Sequence, residues 1–192
     1  AELLAEVHIQ HRPKHLSATE HQQATDLIWE FRDIFSADKA KVAGHATKQT
    51  GWEYAIDTGD KPPIRNRTRR YSPAEHEEIG KQIATLLAAG HIEPCNSPWG
   101  AGVVLTPKKD GTWRFCINYK RLNQITARAT YALPFTDILL DRVTRKAGKG
   151  ERVCYSAMDL LSAFAHIRIR PEDRPKTAFT SPFGTFQWRV LP

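Results

Sequence analysis

Between Ala101 and Tyr119 the sequence reads AGVVLTPKKDGTWRFCINY, two β-rich runs flanking Lys-Lys-Asp-Gly. Val103–Leu105 and Trp113–Tyr119 are rich in β-branched and aromatic residues, and Asp-Gly suits a tight reversal, so this stretch predicts a hairpin with a basic tip. A helix is predicted just before it. Ser72 can cap, Pro73 suits the first helical position, and Glu75 completes a capping box three residues after the cap. Ile79, Ile83, Leu86 and Leu87 form an apolar stripe at helical spacing, and Gly90 suits a left-handed stop.

The flanking segments are less regular. Residues 17–35 open with Ser17-x-x-Glu20, a second capping box, and place Leu27, Ile28, Phe31, Ile34 and Phe35 on one face, which predicts an amphipathic helix. From 36 to 70 the pattern dissolves into Gly, Pro and polar residues, with a short strand-like WEYAI, and ends in KPPIRNRTRR, half of it basic. A further helix is predicted at FTDILLDRV after the breaker YALP; KAGKGE then loops into a strand, RVCYSAM, that ends at Asp159. KTAFTSPFGTFQWRVLP predicts two more strands around a Ser-Pro-Phe-Gly turn. No internal repeat or low-complexity tract interrupts the chain.

Charge narrows the class of partner. Lys and Arg number 28 against 21 Asp and Glu, a net +7 with a pI near 9.5, which favours a polyanion such as nucleic acid. Cys95, Cys116 and Cys154 are odd in number and far apart, which suggests neither a disulfide framework nor a metal knuckle and favours a reducing, intracellular compartment. No stretch approaches the roughly 18 apolar residues of a membrane span, so no membrane partner is expected. The chain starts with Ala and stops in or just after a strand, and is expected to be a piece of something longer.

Several motifs carry chemistry with unequal force. Asp57-Thr58-Gly59 is the tripeptide of aspartic proteases, but Asp60-Lys61-Pro62-Pro63 follows it, and it reads as a turn. His8, His11, His15 and His21 crowd the N-terminus without an accompanying cysteine and with Pro13 between them, which reads as a solvated segment rather than a zinc site. Lys108, Lys109 and Arg114 would put ammonium charges and a guanidinium fork on one lip of the hairpin, a set that suits phosphates but also any exposed tip. Asp159 is either the cap of a helix starting at Leu160 or one leg of a hard-cation site, with the Leu160 carbonyl as a second oxygen.

The order of these motifs is more specific than any one of them. The capped helix, IEPCNSPWGAGVVLTPKKDGTWRFCINYKRLN, YALP, YSAMDLLSAFAHI and DRPKTAFTSPFGTFQWRVLP together closely resemble the reverse transcriptase of gypsy-type LTR retrotransposons, and more distantly retroviral reverse transcriptases. The resemblance covers roughly residues 52–192, and the preceding helix with IDTGDKPPIR looks like the connector between protease and polymerase.

That resemblance implies an α+β fold, a partial right-hand polymerase with a helical connector. Residues 1–60 would be helix and connector and 61–192 a truncated polymerase domain: fingers at about 71–130 and 171–185, palm at about 131–170 and 186–192. It implies that Asp159 is the catalytic aspartate of the first polymerase motif and, with the Leu160 carbonyl, a ligand of Mg²⁺. Lys108 and Arg114 would hold the phosphates of a deoxynucleoside triphosphate, Phe164 would be the bulky ring beside the sugar, and Ala163 would flank it. Template, primer and the rest of a Pol polyprotein would be partners, in the cytoplasm or in virus-like particles.

Phe164 stands where the family commonly has Tyr, Ala163 and His166 where Gly and Gln are common, and Asn118 where Asp is usual. The two further aspartates of a Tyr-x-Asp-Asp hairpin are not in these residues, and one aspartate cannot hold two ions about 3.5–4 Å apart, so the chain alone is expected to polymerise nothing. The alternative function is a non-catalytic nucleic-acid-binding or interaction module from a decayed or recruited element. Without the central hairpin of the palm, the apolar face around Met158 and Val190 is expected to lie partly uncovered.

Overall fold

The computed structural model describes residues 16–32, 43–67, 69–128, 132–144 and 159–192. Its helices are α1 (Ala18–Glu30), α2 (His45–Thr50), α3 (Pro73–Ala88), α4 (Lys120–Ile125) and α5 (Thr136–Thr144). Its strands are β1 (Ile92–Pro94), β2 (Ala101–Pro107), β3 (Trp113–Ile117), β4 (Phe179–Ser181) and β5 (Gly184–Trp188), in the sheet order β1-β5-β4-β2-β3. All pairings are antiparallel except β2 with β4.

The hairpin forms around the predicted turn. Lys108 N–H donates to the Thr112 carbonyl (2.7 Å), and Gly111 takes φ +79°, a conformation in which a Cβ would be strained. Opposed residues share a face, so the register Val103↔Ile117 and Leu105↔Phe115 gathers four apolar side chains on one side. Thr106↔Arg114 puts the guanidinium on the other.

α3 covers the apolar side. Both halves of its capping box are made, Ser72 Oγ accepting from Glu75 N–H (3.3 Å) and Glu75 Oε2 from Ser72 N–H (2.8 Å). It ends in a Schellman motif, with Gly90 at φ +68° and the N–H groups of Gly90 and His91 donating to the carbonyls of Leu87 and Leu86. Ile79 and Ile83 are buried and Leu86 packs beside them, but Leu87 lies outside the stripe and is exposed. Gly80 is mid-helix because the β4–β5 turn presses there: a Cβ would sit 2.9 Å from Phe183 Cζ, whose ring stacks at 4.6 Å on His76.

The core lies between α3 and the sheet, around Ile79, Val103, Ile169 and Phe179, with Ile56 contributed by the segment before the basic run. That segment is tied in by a partly buried ion pair with Asp173 on its inner side. Asp173 takes Ile56 N–H on Oδ2 (2.9 Å) and Lys176 Nζ on Oδ1 (2.6 Å), and Lys176 Nζ also donates to the Ile56 carbonyl (2.6 Å). Removing one partner strands the other. Asp173→Ala is expected to cost about 3 kcal/mol, read as a fall in the urea midpoint at unchanged slope.

Several expectations need revision. α1 is capped by Ser17 as anticipated, yet Leu27, Trp29 and Phe31 are exposed, and Ile34 and Phe35 lie outside the described residues. WEYAI makes a single parallel bridge, Tyr54↔Ile169, rather than a full strand. Val190 is only 2% exposed, packed against Ala43, Leu161 and Ala165, so this part of the face is covered; Met158 lies outside the described residues. Asp57-Thr58-Gly59 is a turn, its Asp57 Oδ1 accepting Gly59 N–H at 2.9 Å. Among the described residues no helix is long and apolar enough to cross a membrane.

Candidate nucleotide and nucleic-acid interface

The residues singled out from the sequence fall on two elements. Lys108 and Arg114 stand exposed at the end of the β2–β3 hairpin. The hairpin holds them from below: Trp113 and Phe115, on either side of Arg114, pack against the core. Asp110 organises the tip. Its Oδ1 accepts from Thr112 N–H (2.9 Å) and Thr112 Oγ1 (2.6 Å), and these bonds hold its carboxyl below the usual aspartate range. The acidic residue of the turn is thus engaged locally, and the lysines and Arg114 supply its outward charge.

A basic approach runs beside the hairpin. The strand-like segment at Arg65 bridges Gly100 in parallel, with Gly100 N–H to the Ile64 carbonyl (3.0 Å) and Asn66 N–H to the Gly100 carbonyl (2.7 Å). Arg121, from α4, reaches back to the Arg65 carbonyl and Asn66 Oδ1, both at 3.4 Å. Beyond it, Arg69, Arg70, Tyr71, His76, Thr180 and Ser181 line a cavity of about 420 Å³. Tyr119 anchors the base of α4. Its hydroxyl donates to the Thr177 carbonyl (2.6 Å), and burial pushes the phenol well above its ordinary pKa, so it stays a neutral donor.

Asp159, Leu160, Ala163 and Phe164 come together on the second element, a turn that starts at Asp159 and tightens into a single 3₁₀ turn, Ala163–His166. The strand expected before Asp159 lies outside the described residues. Asp159 does not cap a helix at Leu160. The helical turn begins three residues later, and its cap position is Ser162, at φ +49° and without a side-chain cap bond. Leu160 and Phe164 are 67% and 68% exposed, while Leu161 and Ala165 turn inward against Val190, so the turn displays one set of side chains and buries the other.

Sequence reading missed what supports this turn. α2 lies in the segment read as patternless, because six residues, HATKQT, are too few to show an apolar period. Gly44 N–H donates to the Ala165 carbonyl (2.8 Å), Thr47 Oγ1 accepts Arg168 N–H (2.8 Å), and the His45 ring meets that of His166 edge-on at 6.0 Å. The only signal was Gly44 before a polar hexapeptide.

Among the described residues no three His, Cys, Asp or Glu side chains gather where a metal ion could sit. Asp159 and the Leu160 carbonyl offer two oxygens, fewer than the several converging carboxylates of a two-ion centre. The described residues do not fit that centre by themselves.

Residues 106–192, which contain both elements, match the family model described as Reverse transcriptase (RNA-dependent DNA polymerase). The chain is 31% identical over 200 residues, 99% of its length, to the Retrovirus-related Pol polyprotein from transposon opus of Drosophila melanogaster. Both similarities are to the reverse-transcriptase region of Pol polyproteins. A second relative, the Enzymatic polyprotein of Cauliflower mosaic virus (strain Strasbourg), is 36% identical over 133 residues, 67% of this chain. The chain spans 19% of the length of each of these polyproteins. Its fold is that of the foamy viral protease-reverse transcriptase solved in complex with dsDNA, with a TM-score of 0.73 at 20% identity over 100% of this chain and 37% of that one.

Proposed function

We propose that the chain is the amino-terminal part of the RNA-directed DNA polymerase of a gypsy-type element, encoded within its Pol polyprotein. One observation carries the reading: within the stretch matched by the reverse-transcriptase family, the basic hairpin tip and the Asp159–Phe164 turn each present their side chains outward from a packed base. In this reading Lys108 and Arg114 grip the phosphates of an incoming deoxynucleoside triphosphate. Phe164 sets its ring beside the sugar, with Ala163 leaving room next to it, and excludes a 2′-hydroxyl. Asp159 and the Leu160 carbonyl would give only part of the oxygen set for Mg²⁺, the remainder having to come from elsewhere in the polymerase.

The basic run and Arg121 follow the phosphates of the template. Counterion release makes such binding salt-dependent, with each phosphate contact adding roughly one to the log–log slope. The 192-residue chain is expected to bind a primer–template, and replacing Arg67, Arg69 and Arg70 by Ala to flatten the salt slope by about 2–3. A salt-insensitive affinity would rule this surface out.

The deciding experiment is primer extension on an RNA template with Mg²⁺. The 192-residue chain alone is expected to incorporate nothing, and the polymerase-length protein read in frame from the same gene to extend. Lys108→Ala and Arg114→Ala should then raise the KM for nucleotide at least tenfold. A second reading, a binding module without catalysis, rests on Asn118, Ala163 and His166 standing where the family commonly has other residues. It predicts binding by both proteins and extension by neither.

A further inference from the structure

The segment upstream of the polymerase fold makes bonds that no capping or packing need of its own explains. α2 has Gly44 at its N-terminus in the left-handed region, φ +65°, and that conformation aims the Gly44 N–H at the Ala165 carbonyl, 2.8 Å away. One helical turn on, Thr47 is 8% exposed, and its Oγ1 accepts the Arg168 N–H at 2.8 Å. α2 therefore holds the second element by a carbonyl on one side of Ile167 and an amide on the other. Enlarging Gly44 would strain its left-handed backbone and force the Arg168 side chain aside: a Cβ would collide with Arg168 Nε and lie 2.7 Å from its Cγ. Ala43 closes the contact by packing against Ala165 and Val190.

The element held in this way is strained. Ser162 is the one non-glycine residue at positive φ among the described residues, and it sits between Leu160 and Ala163, the two sides that carry the proposed functional groups. A non-glycine residue in that region costs of order 1 kcal/mol or more and persists where its surroundings over-determine it. Within the turn itself, Ala165 N–H to the Ser162 carbonyl (2.8 Å), Ile167 N–H to the Phe164 carbonyl (3.0 Å) and His166 Nε2 to the Leu161 carbonyl (3.0 Å) close the backbone on itself. Outside the turn, the C-terminal residues hold it through the Leu191 N–H to Ile167 carbonyl bond (2.9 Å) and the packing of Leu161 and Ala165 on Val190, and α2 supplies the fixed points on the other side.

We infer that α2 is a positioning clamp, with Gly44 and Thr47 as positioning residues that fix the Asp159–Phe164 turn and so set how strictly the site admits deoxynucleotides over ribonucleotides. Neither residue touches a substrate; both act through the backbone at Ala165 and Arg168. The inference rests on the polymerase reading for its functional half and on bonds within this chain for its structural half. A bulky ring discriminates a 2′-hydroxyl only if its backbone is held, because an error of about 1 Å at a reacting centre costs as much as 10²-fold. Loosening the clamp therefore lowers sugar selectivity more than it lowers the rate of deoxynucleotide addition.

Two readouts separate the halves. In the 192-residue chain, Thr47→Val removes the acceptor at nearly constant volume and is expected to speed amide exchange of Arg168 at least tenfold while the Phe179 amide stays protected; Thr47→Ser restores it. In the polymerase-length protein, Thr47→Val and Gly44→Ala are expected to lower the ratio of kcat/KM for deoxynucleotide over ribonucleotide at least tenfold, with Thr47→Ser at the wild-type ratio. Unchanged Arg168 exchange in Thr47→Val overturns the clamp. Faster exchange with an unchanged ratio, in a wild-type enzyme that extends primers, overturns its role in selection. No extension by the wild-type polymerase-length protein refutes the polymerase reading instead, and the selection role with it, while the exchange result still decides whether α2 holds the turn.

Discussion

Phe179→Ala is expected to lower the stability of the 192-residue chain by about 3–5 kcal/mol, enough to unfold a domain of ordinary stability in part at 37 °C. Phe179 is fully buried at the centre of the sheet, on β4 between β5 and β2. Its ring meets those of Phe115, Phe186 and Trp188 at centroid separations of 5.9, 5.9 and 6.1 Å, so its loss opens a cavity walled by rings that cannot all close in. Those neighbours come from β3 and β5, which makes Phe179 the joint between the hairpin and the C-terminal strands. Urea unfolding of the variant should show the midpoint drop at nearly unchanged slope. Phe183→Ala, at an exposed turn, serves as the contrast and should cost much less. A loss below about 1 kcal/mol for Phe179→Ala would mean that the core is not organised around β4.

The elements that could be read from the sequence were those with complete local chemistry. α3 carries its cap, its stripe and its left-handed stop within nineteen residues, 72–90, and the hairpin carries both strands and its turn. Leu87 shows the limit of periodicity: it fits the stripe by spacing, but the helix turns it just past the edge of the sheet, to 37% exposure. What could not be read were features made by residues distant in sequence. Asp173 grips Ile56 across 117 positions and Thr47 grips Arg168 across 121. A polar residue destined to satisfy a buried amide looks, in the sequence, like any solvated one.

The candidate site divides the same way. The exposed positions of Lys108 and Arg114 follow from the hairpin register, whereas of the two readings of Asp159 the cap of a helix at Leu160 is not the one the backbone takes. Leu160-Leu161-Ser162 has enough helix-forming character to invite that reading, but Ser162 at φ +49° breaks the run and delays the helical turn to Ala163. The delay matters for chemistry. A helix starting at Leu160 would have used the Asp159 carboxylate as its own cap; the observed turn leaves it exposed and outside the cap bonds of the structure.

Because the Asp159 carboxylate has no capping duty, its charge and its contribution to folding can be separated by one substitution. Asp159→Asn keeps the shape of the side chain and removes its negative charge. In the 192-residue chain the variant is expected to melt within about 0.5 kcal/mol of the wild type, as for an exposed residue without a structural bond. In the polymerase-length protein the same change is expected to lower kcat for primer extension by about 10²–10³-fold or more, since phosphoryl transfer depends on charge placed at the reacting oxygens rather than on covalent help from the protein. KM for nucleotide should move far less, because Lys108 and Arg114 are untouched. A variant that extends primers at near the wild-type rate would remove Asp159 from the reaction. A variant that loses stability as well as rate would return Asp159 to the structural role that its place before the Leu160-Leu161-Ser162 stretch first suggested.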